Sequence, residues 1–230
     1  MELSKDQNNA KNEIIKFLND KSQKLFILKG SAGTGKTTLI TNILGEERYK
    51  DKKIALCATT HKAVSVLKEM KVNSKELDFI TIHKLLKIKR KINKYGDKLF
   101  DTNITKTRYN SDKKNSSIYC YDIIIVDECS MIDKKLLDTI FNLQDKIKGK
   151  IIFIGDICQL PPVNEKNSAI FSYNLQGYEL KDIMRYKGNI VNLCDDIRKL
   201  IFDKSYKLKL NSYKSNNIIF YKNTNDFVSN

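Results

Sequence analysis

The sequence has 230 residues, with 42 Lys and Arg against 27 Asp and Glu for a net charge of +15. That length suits one α/β domain with a full core, or one domain with a small insert, rather than two complete domains. The charge points to a polyanionic partner, nucleic acid first, although an AT-rich genome that inflates Lys, Asn and Ile together would produce part of it. The five cysteines stand singly at Cys57, Cys120, Cys129, Cys158 and Cys194, with no C-x-x-C pair and only two histidines. Disulfide frameworks and zinc cages are excluded on that count, and a reduced, intracellular protein is expected, in the cytoplasm of a bacterial or phage-infected cell or otherwise intracellular. The first twenty residues hold no apolar core of a signal peptide, and nowhere do about 18 apolar residues run together. No membrane partner is expected.

In chain order, Ile14, Ile15, Phe17 and Leu18 behind Ser4 predict an amphipathic helix over residues 4–19 with Ser4 as N-cap. KLFILKG, residues 24–30, reads as a buried strand ending at Gly30, and TLITNIL after it as helical. The alternation continues with a strand in KIALCATT (53–60), a helix in HKAVSVLKEM (61–70), a strand in YDIIIVDE (121–128), a helix in DKKLLDTIFNLQDKI (133–147) and a strand in KIIFIGD (150–156). Continuous apolar strands alternating with helices predict an α/β fold, a mostly parallel sheet covered on both faces. Residues 87–117 interrupt the pattern: they are basic, poor in large aliphatics and turned by Tyr95-Gly96-Asp97. Two short strands flanking Gly96 would make a small β-hairpin insert, and a solvated Lys-rich loop is the alternative. NIVNLCDDIRKLIF (189–202) returns to helical periodicity and NIIFYKN (217–223) reads as a late strand.

Three strand ends carry chemistry. GSAGTGKT, Gly30 to Thr37, satisfies the G-x-x-x-x-G-K-[ST] pattern between a strand and a helix. There the amides of Gly30, Ser31, Ala32, Gly33, Thr34 and Gly35 can turn around phosphates, helped by the N-terminal end of the helix that Thr38 enters. Lys36 reaches the β- and γ-phosphates, and the Thr37 hydroxyl ligates Mg²⁺. Asp127 and Glu128 leave the next strand at its C-terminal end, where one carboxylate can hold Mg²⁺ and the other can activate a water. The third is FIGDICQLPPV, residues 153–163, which holds both prolines of the chain. Taken alone this turn could simply stop a strand; beside a phosphate loop, Gln159 offers a neutral amide that can sense the γ-phosphate or the attacking water. The combination points to nucleotide hydrolysis.

GSAGTGKT, ATTHKAV, TIHKLL, VDECSM, GDICQLPPV and LKDIMR stand in the order and spacing of helicase motifs I, Ia, Ib, II, III and IV. The set, spread from about Leu3 to Arg198, resembles superfamily 1 DNA helicases of the 5′-to-3′ branch, of Dda-like and RecD-like type. That resemblance implies a RecA-like P-loop NTPase fold, formed by residues 1–86 and 118–230, with residues 87–117 as the small 1B domain. It also implies ATP and Mg²⁺ as cofactors, with Gln7 as the glutamine that reads adenine and Arg185 of LKDIMR on the γ-phosphate; Tyr186 replaces the Gln or small polar residue usual after that arginine. Thr60, His61, Thr81 and His83 match positions that touch the strand, although His83 is equally an ordinary residue of a helix start. Phe100 and Tyr95 are the aromatic candidates for a strand-separating pin.

Nothing after Arg198 resembles motifs V and VI, so a second RecA-like domain with its arginine finger is expected to be absent. The implied parent activity is ATP-driven 5′-to-3′ translocation on single-stranded DNA and unwinding at a fork, with single-strand-binding or replication proteins as possible partners and a monomeric chain. The chain as it stands should bind ATP and single strands and hydrolyse ATP poorly. Two alternatives stay open: an AAA+ type remodelling ATPase, which would lack QLPPV and stimulation by single strands, and a non-catalytic, nucleotide-dependent binding module.

Overall fold

Ser4 starts the first helix as the sequence predicts. Its hydroxyl accepts from the Gln7 N–H while Gln7 Oε1 accepts from the Ser4 N–H, a capping box at the head of α1 (Lys5–Asn19). The computed structural model describes residues 2–92, 98–101, 118–184, 188–203 and 205–208, with 89–92 and 98–101 as backbone alone. The expected late strand over 217–223 lies outside the described residues.

Six strands form one parallel sheet: β1 (Leu25–Gly30), β2 (Lys53–Ala58), β3 (Glu76–Thr81), β6 (Ile123–Val126), β7 (Lys150–Gly155) and β8 (Gln176–Leu180), in the order β3-β2-β6-β7-β1-β8. β4 (Lys89–Ile92) and β5 (Lys98–Asp101) pair antiparallel on either side of Gly96, with Ile92 opposite Lys98. Apolar runs build the central strands because neighbours cover both faces. Successive side chains divide between two cores. Leu25, Ile27, Ile124, Val126 and Phe153 face Leu136, Leu137 and Ile140 of α5 (Lys134–Leu143). Phe26, Leu28, Ile125 and Ile152 face Ile14 and Phe17 of α1, Leu39 and Ile43 of α2 (Lys36–Leu44), and Leu67 of α3 (His61–Leu67).

The helix expected over 61–70 stops at Leu67, because Glu69 and Met70 bond back three residues, to Val66 and Leu67, and tighten the chain into a turn. The helix expected over 133–147 ends at Leu143 and continues as a 3₁₀ turn, Gln144–Lys146. β8 is not apparent in the sequence: it is an edge strand with Gln176, Gly177 and Glu179 exposed, so no apolar run marks it. At Gly177 a Cβ would lie 2.4 Å from the Ile27 carbonyl oxygen, which keeps the position free of side chains. A single turn, α4 (Ile82–Leu85), follows β3, and α6 (Asn189–Phe202) matches its expected range. No helix among the described residues is long and apolar enough to cross a membrane.

Lys150, the first residue of β7, closes the far end of α1. Its ammonium donates to the carbonyls of Phe17, Asp20 and Gln23 and stands 4.6 Å from the Phe17 ring centroid. The helix end that would otherwise present bare carbonyls receives a positive charge. Lys150→Met keeps the stem and removes the donor, and is expected to lower stability by about 1–3 kcal/mol. Urea unfolding followed by circular dichroism measures it; an unchanged midpoint would mean that water serves those carbonyls equally well.

Candidate functional site

All the loops singled out in the sequence leave the C-terminal edge of the same sheet. Strand order sets Thr81 at the end of β3, Thr60 after β2, Asp127 and Glu128 after β6, residues 156–163 after β7 and residues 31–35 after β1 in one row. Open α/β sheets bind ligands at this edge.

In the loop after β1, Gly33 and Gly35 take the left-handed conformation, with φ of 84° and 81°. A side chain at 35 would also collide with Gln7, whose Nε2 lies 2.3 Å from where a Cβ would stand. Gln7 is buried, and its Nε2 donates to the Thr34 carbonyl at 3.1 Å. The residue expected to read adenine therefore caps α1 with one end of its amide and braces the phosphate loop with the other. Thr34, fully buried, donates its hydroxyl to the Ser31 carbonyl at 2.9 Å. Lys36 Nζ folds over the loop and donates to the carbonyls of Gly30 (2.8 Å) and Ser31 (2.9 Å). Burial lowers the pKa of Lys36, and the charges of Asp156, Asp127 and Glu128 pull it back up.

Asp127 extends β6 by one bond, its N–H donating to the Cys57 carbonyl, and its Oδ1 accepts from the Glu128 N–H at 2.9 Å. Glu128 adopts φ 53°, ψ 43°, a left-handed conformation rare for a side chain of this size, and so departs from the strand direction at once. The carboxylates of Asp127 and Glu128 thereby serve different positions. Burial raises the pKa of both, and for Glu128 the neighbouring Asp127 charge adds to the rise. Gln159 lines the same cleft as Glu128, and its side chain draws the Glu128 pKa slightly back down. It is held there by a turn in which the Gln159 N–H donates to the Asp156 carbonyl and the Cys158 N–H to Asp156 Oδ1.

Ala32, Gly33, Gly35, Lys36, Thr37, Thr38, Asp127, Glu128, Gly155 and Gln159 line one cleft of about 230 Å³. Thr37 and Asp127 offer it the oxygen ligands that a hard cation such as Mg²⁺ prefers, so the residues fit that ion. No cluster of three or more His, Cys, Asp or Glu side chains able to hold a metal occurs among the described residues. An ion here would take its remaining ligands from phosphate and water.

A profile of the AAA_19 family, described as an AAA domain, matches residues 12–165, from inside α1 to just past the double proline. The chain belongs to the AAA_19 family. Among relatives of this AAA_19 chain, the uncharacterised protein R530 of Acanthamoeba polyphaga mimivirus is 35% identical over 218 residues, covering 86% of this chain and 42% of R530. The RecBCD enzyme subunit RecD of Buchnera aphidicola subsp. Schizaphis graminum is 34% identical over 236 residues, covering 88% of this chain and 36% of RecD. The chain thus spans less than half the length of either relative. A solved Pif1 helicase from Bacteroides, in complex with ADP-AlF3 and single-stranded DNA, superposes with a TM-score of 0.58 at 21% identity, over 90% of this chain and 48% of that one. The last is a likeness of fold, and the fold is the RecA-like one that the motifs implied.

Beyond the AAA_19 cleft, the structure places the expected strand-contacting residues unequally. Thr60 is exposed and caps α3, its hydroxyl oxygen accepting from the Ala63 N–H, with His61 exposed beside it. Thr81 caps α4 in the same way through the Lys84 N–H but is only 8% exposed, and His83 is partly exposed in that turn. Each threonine oxygen thus accepts one capping bond, which leaves its proton and one lone pair for a ligand. Phe100 lies in β5 opposite Arg90, described by backbone alone. Tyr95 and Arg185 lie outside the described residues. Sequence reasoning missed Asp156 and Arg198: both Asp156 oxygens accept from Arg198 Nη1, each at 2.9 Å. No local signal could have joined two residues 42 positions apart.

Proposed function

We propose that this chain is the ATPase core of a DNA helicase of the 5′-to-3′ branch, formed by residues 1–86 and 118–230 with residues 87–117 as a strand-engaging insert. The observation that carries the reading is the convergence of Lys36, Asp127, Glu128 and Gln159 on one cleft at the sheet edge. Relatives named RecD support the helicase reading, and the Pif1 likeness supports the fold on which it rests.

In this reading the loop 30–35 and the first turn of α2 surround the phosphates of ATP, and Lys36 exchanges the carbonyls of Gly30 and Ser31 for phosphate oxygens. Thr37 and Asp127 hold Mg²⁺, which when bound neutralises phosphate charge. Glu128, its pKa raised by burial, takes a proton from the attacking water. Gln159 shares the cleft with Glu128, where its amide would register whether a γ-phosphate is present. Gln7 keeps one amide hydrogen and one lone pair beyond its bonds to Ser4 and Thr34, and these are what it has for adenine. Arg185 completes the γ-phosphate site. Thr60, His61, Thr81 and His83 follow one single strand along the β2–β3 side, with Phe100 and Tyr95 at the insert for stacking or wedging at the fork.

ATP turnover with and without single-stranded DNA, across a salt series, tests this. Turnover is expected to rise with the strand, and strand binding to fall steeply between about 50 and 200 mM salt, because lysine–phosphate contacts release counterions. Turnover that ignores the strand would favour a remodelling ATPase instead. A salt-insensitive affinity would remove the electrostatic account of strand binding.

A further inference from the structure

Asp156 is the most deeply buried carboxylate at the sheet edge, 3% exposed, and the nucleotide cleft does not include it. It closes the turn that presents Gln159: its carbonyl accepts from the Gln159 N–H, and its Oδ1 accepts from the Cys158 N–H. Arg198, from α6, donates through Nη1 to both oxygens of the carboxylate. α6 lies against this turn and the phosphate loop together, because Ser31, Ala32, Asp156, Cys158, Cys194 and Arg198 bound a single second cleft. Lys36 also feels Asp156, ahead of Asp127 and Glu128, among the charges that oppose its desolvation.

We propose that Arg198 is a positioning residue for nucleotide recognition: from α6 it neutralises Asp156, which keeps Gln159 presented to the cleft it shares with Glu128 and leaves Lys36 free for the γ-phosphate. A buried carboxylate requires a cationic partner, and two cations stand near this one. With Arg198 in place, Asp156 is satisfied and Lys36 is exchangeable. Without Arg198, Lys36 is the cation left to answer the Asp156 charge that it already feels, and its capture by Asp156 would withdraw it from the phosphate loop while loosening the turn that ends in Gln159. The role rests on the proposed nucleotide site, and ADP, which can engage Lys36 only through its β-phosphate and Gln159 not at all, loses less than the triphosphate, a difference that separates the two.

The experiment measures affinities of the full chain for fluorescently labelled ADP and for labelled adenylyl imidodiphosphate, both with Mg²⁺, in wild type, Arg198→Met, Arg198→Lys and Lys36→Ala. For Arg198→Met the preference for the triphosphate over ADP is expected to collapse about tenfold, with ADP affinity falling by less than that of the triphosphate. Arg198→Lys should restore the preference, because a single nitrogen makes both bonds here and an ammonium can do the same. A folded Arg198→Met that keeps the wild-type preference overturns the positioning role, as does an Arg198→Lys no better than Met. If Arg198→Met does not fold, Arg198→Gln, which keeps a donor and drops the charge, carries the same expectation and the same overturning result. A wild-type chain that binds neither nucleotide, or a Lys36→Ala chain that binds both as wild type does, overturns the nucleotide site and the role of Arg198 with it.

Discussion

Glu128→Gln is expected to lower ATP turnover by about 10²- to 10⁴-fold while ATP binding persists, the loss typical of a removed general base. The substitution is nearly isosteric. The amide N–H of residue 128 can still donate to Asp127 Oδ1. The left-handed backbone at this position is no harder for Gln than for Glu, so the fold should be indifferent. What disappears is the carboxylate, whose raised pKa reflects burial first and the adjacent Asp127 charge second. Phosphate release under saturating Mg-ATP, together with labelled-nucleotide binding, measures both quantities. Wild-type turnover in the variant would move the base elsewhere, and lost binding would make Glu128 part of the nucleotide pocket instead.

Lys36→Ala should act on binding and turnover together. Its ammonium rests on the Gly30 and Ser31 carbonyls within a loop shaped for phosphate. Three carboxylates, Asp156, Asp127 and Glu128, sustain its charge against desolvation. Loss of one preorganised cationic donor to the transferring phosphoryl group is expected to cost about 10²- to 10³-fold in turnover, with weaker triphosphate binding besides. The same phosphate-release assay and an ATP titration test it. A variant with intact turnover would show that the loop amides alone carry the phosphates. The contrast with Glu128→Gln is diagnostic, since one change removes a ligand contact and the other a proton acceptor.

Much of this site was readable along the chain because its requirements are local. Gly33 and Gly35 stand where the backbone turns left-handed, Lys36 follows them at the head of a helix, and Asp127 and Glu128 end an apolar run. Sheets covered on both faces require such apolar runs, so Leu25–Gly30, Ile123–Val126 and Lys150–Gly155 were apparent as strands. The edge strand β8 was not apparent, because half-solvated strands tolerate polar residues and a glycine. The dihedral angles of Glu128 were equally hidden, since a left-handed turn at a glutamate has no compositional mark.

The remaining features depend on which elements come to lie side by side. Gln7 meets the Thr34 carbonyl across 27 positions, Arg198 meets Asp156 across 42, and Lys150 reaches the end of α1 across 133. Each joins a polar group to a partner that burial would otherwise leave without one, and that need exists only once helices are packed on the sheet. Local spacing therefore supplied the chemistry of the cleft. Packing decided which side chains hold that chemistry in place, because a buried donor or charge must find its partner in space, at whatever distance along the chain.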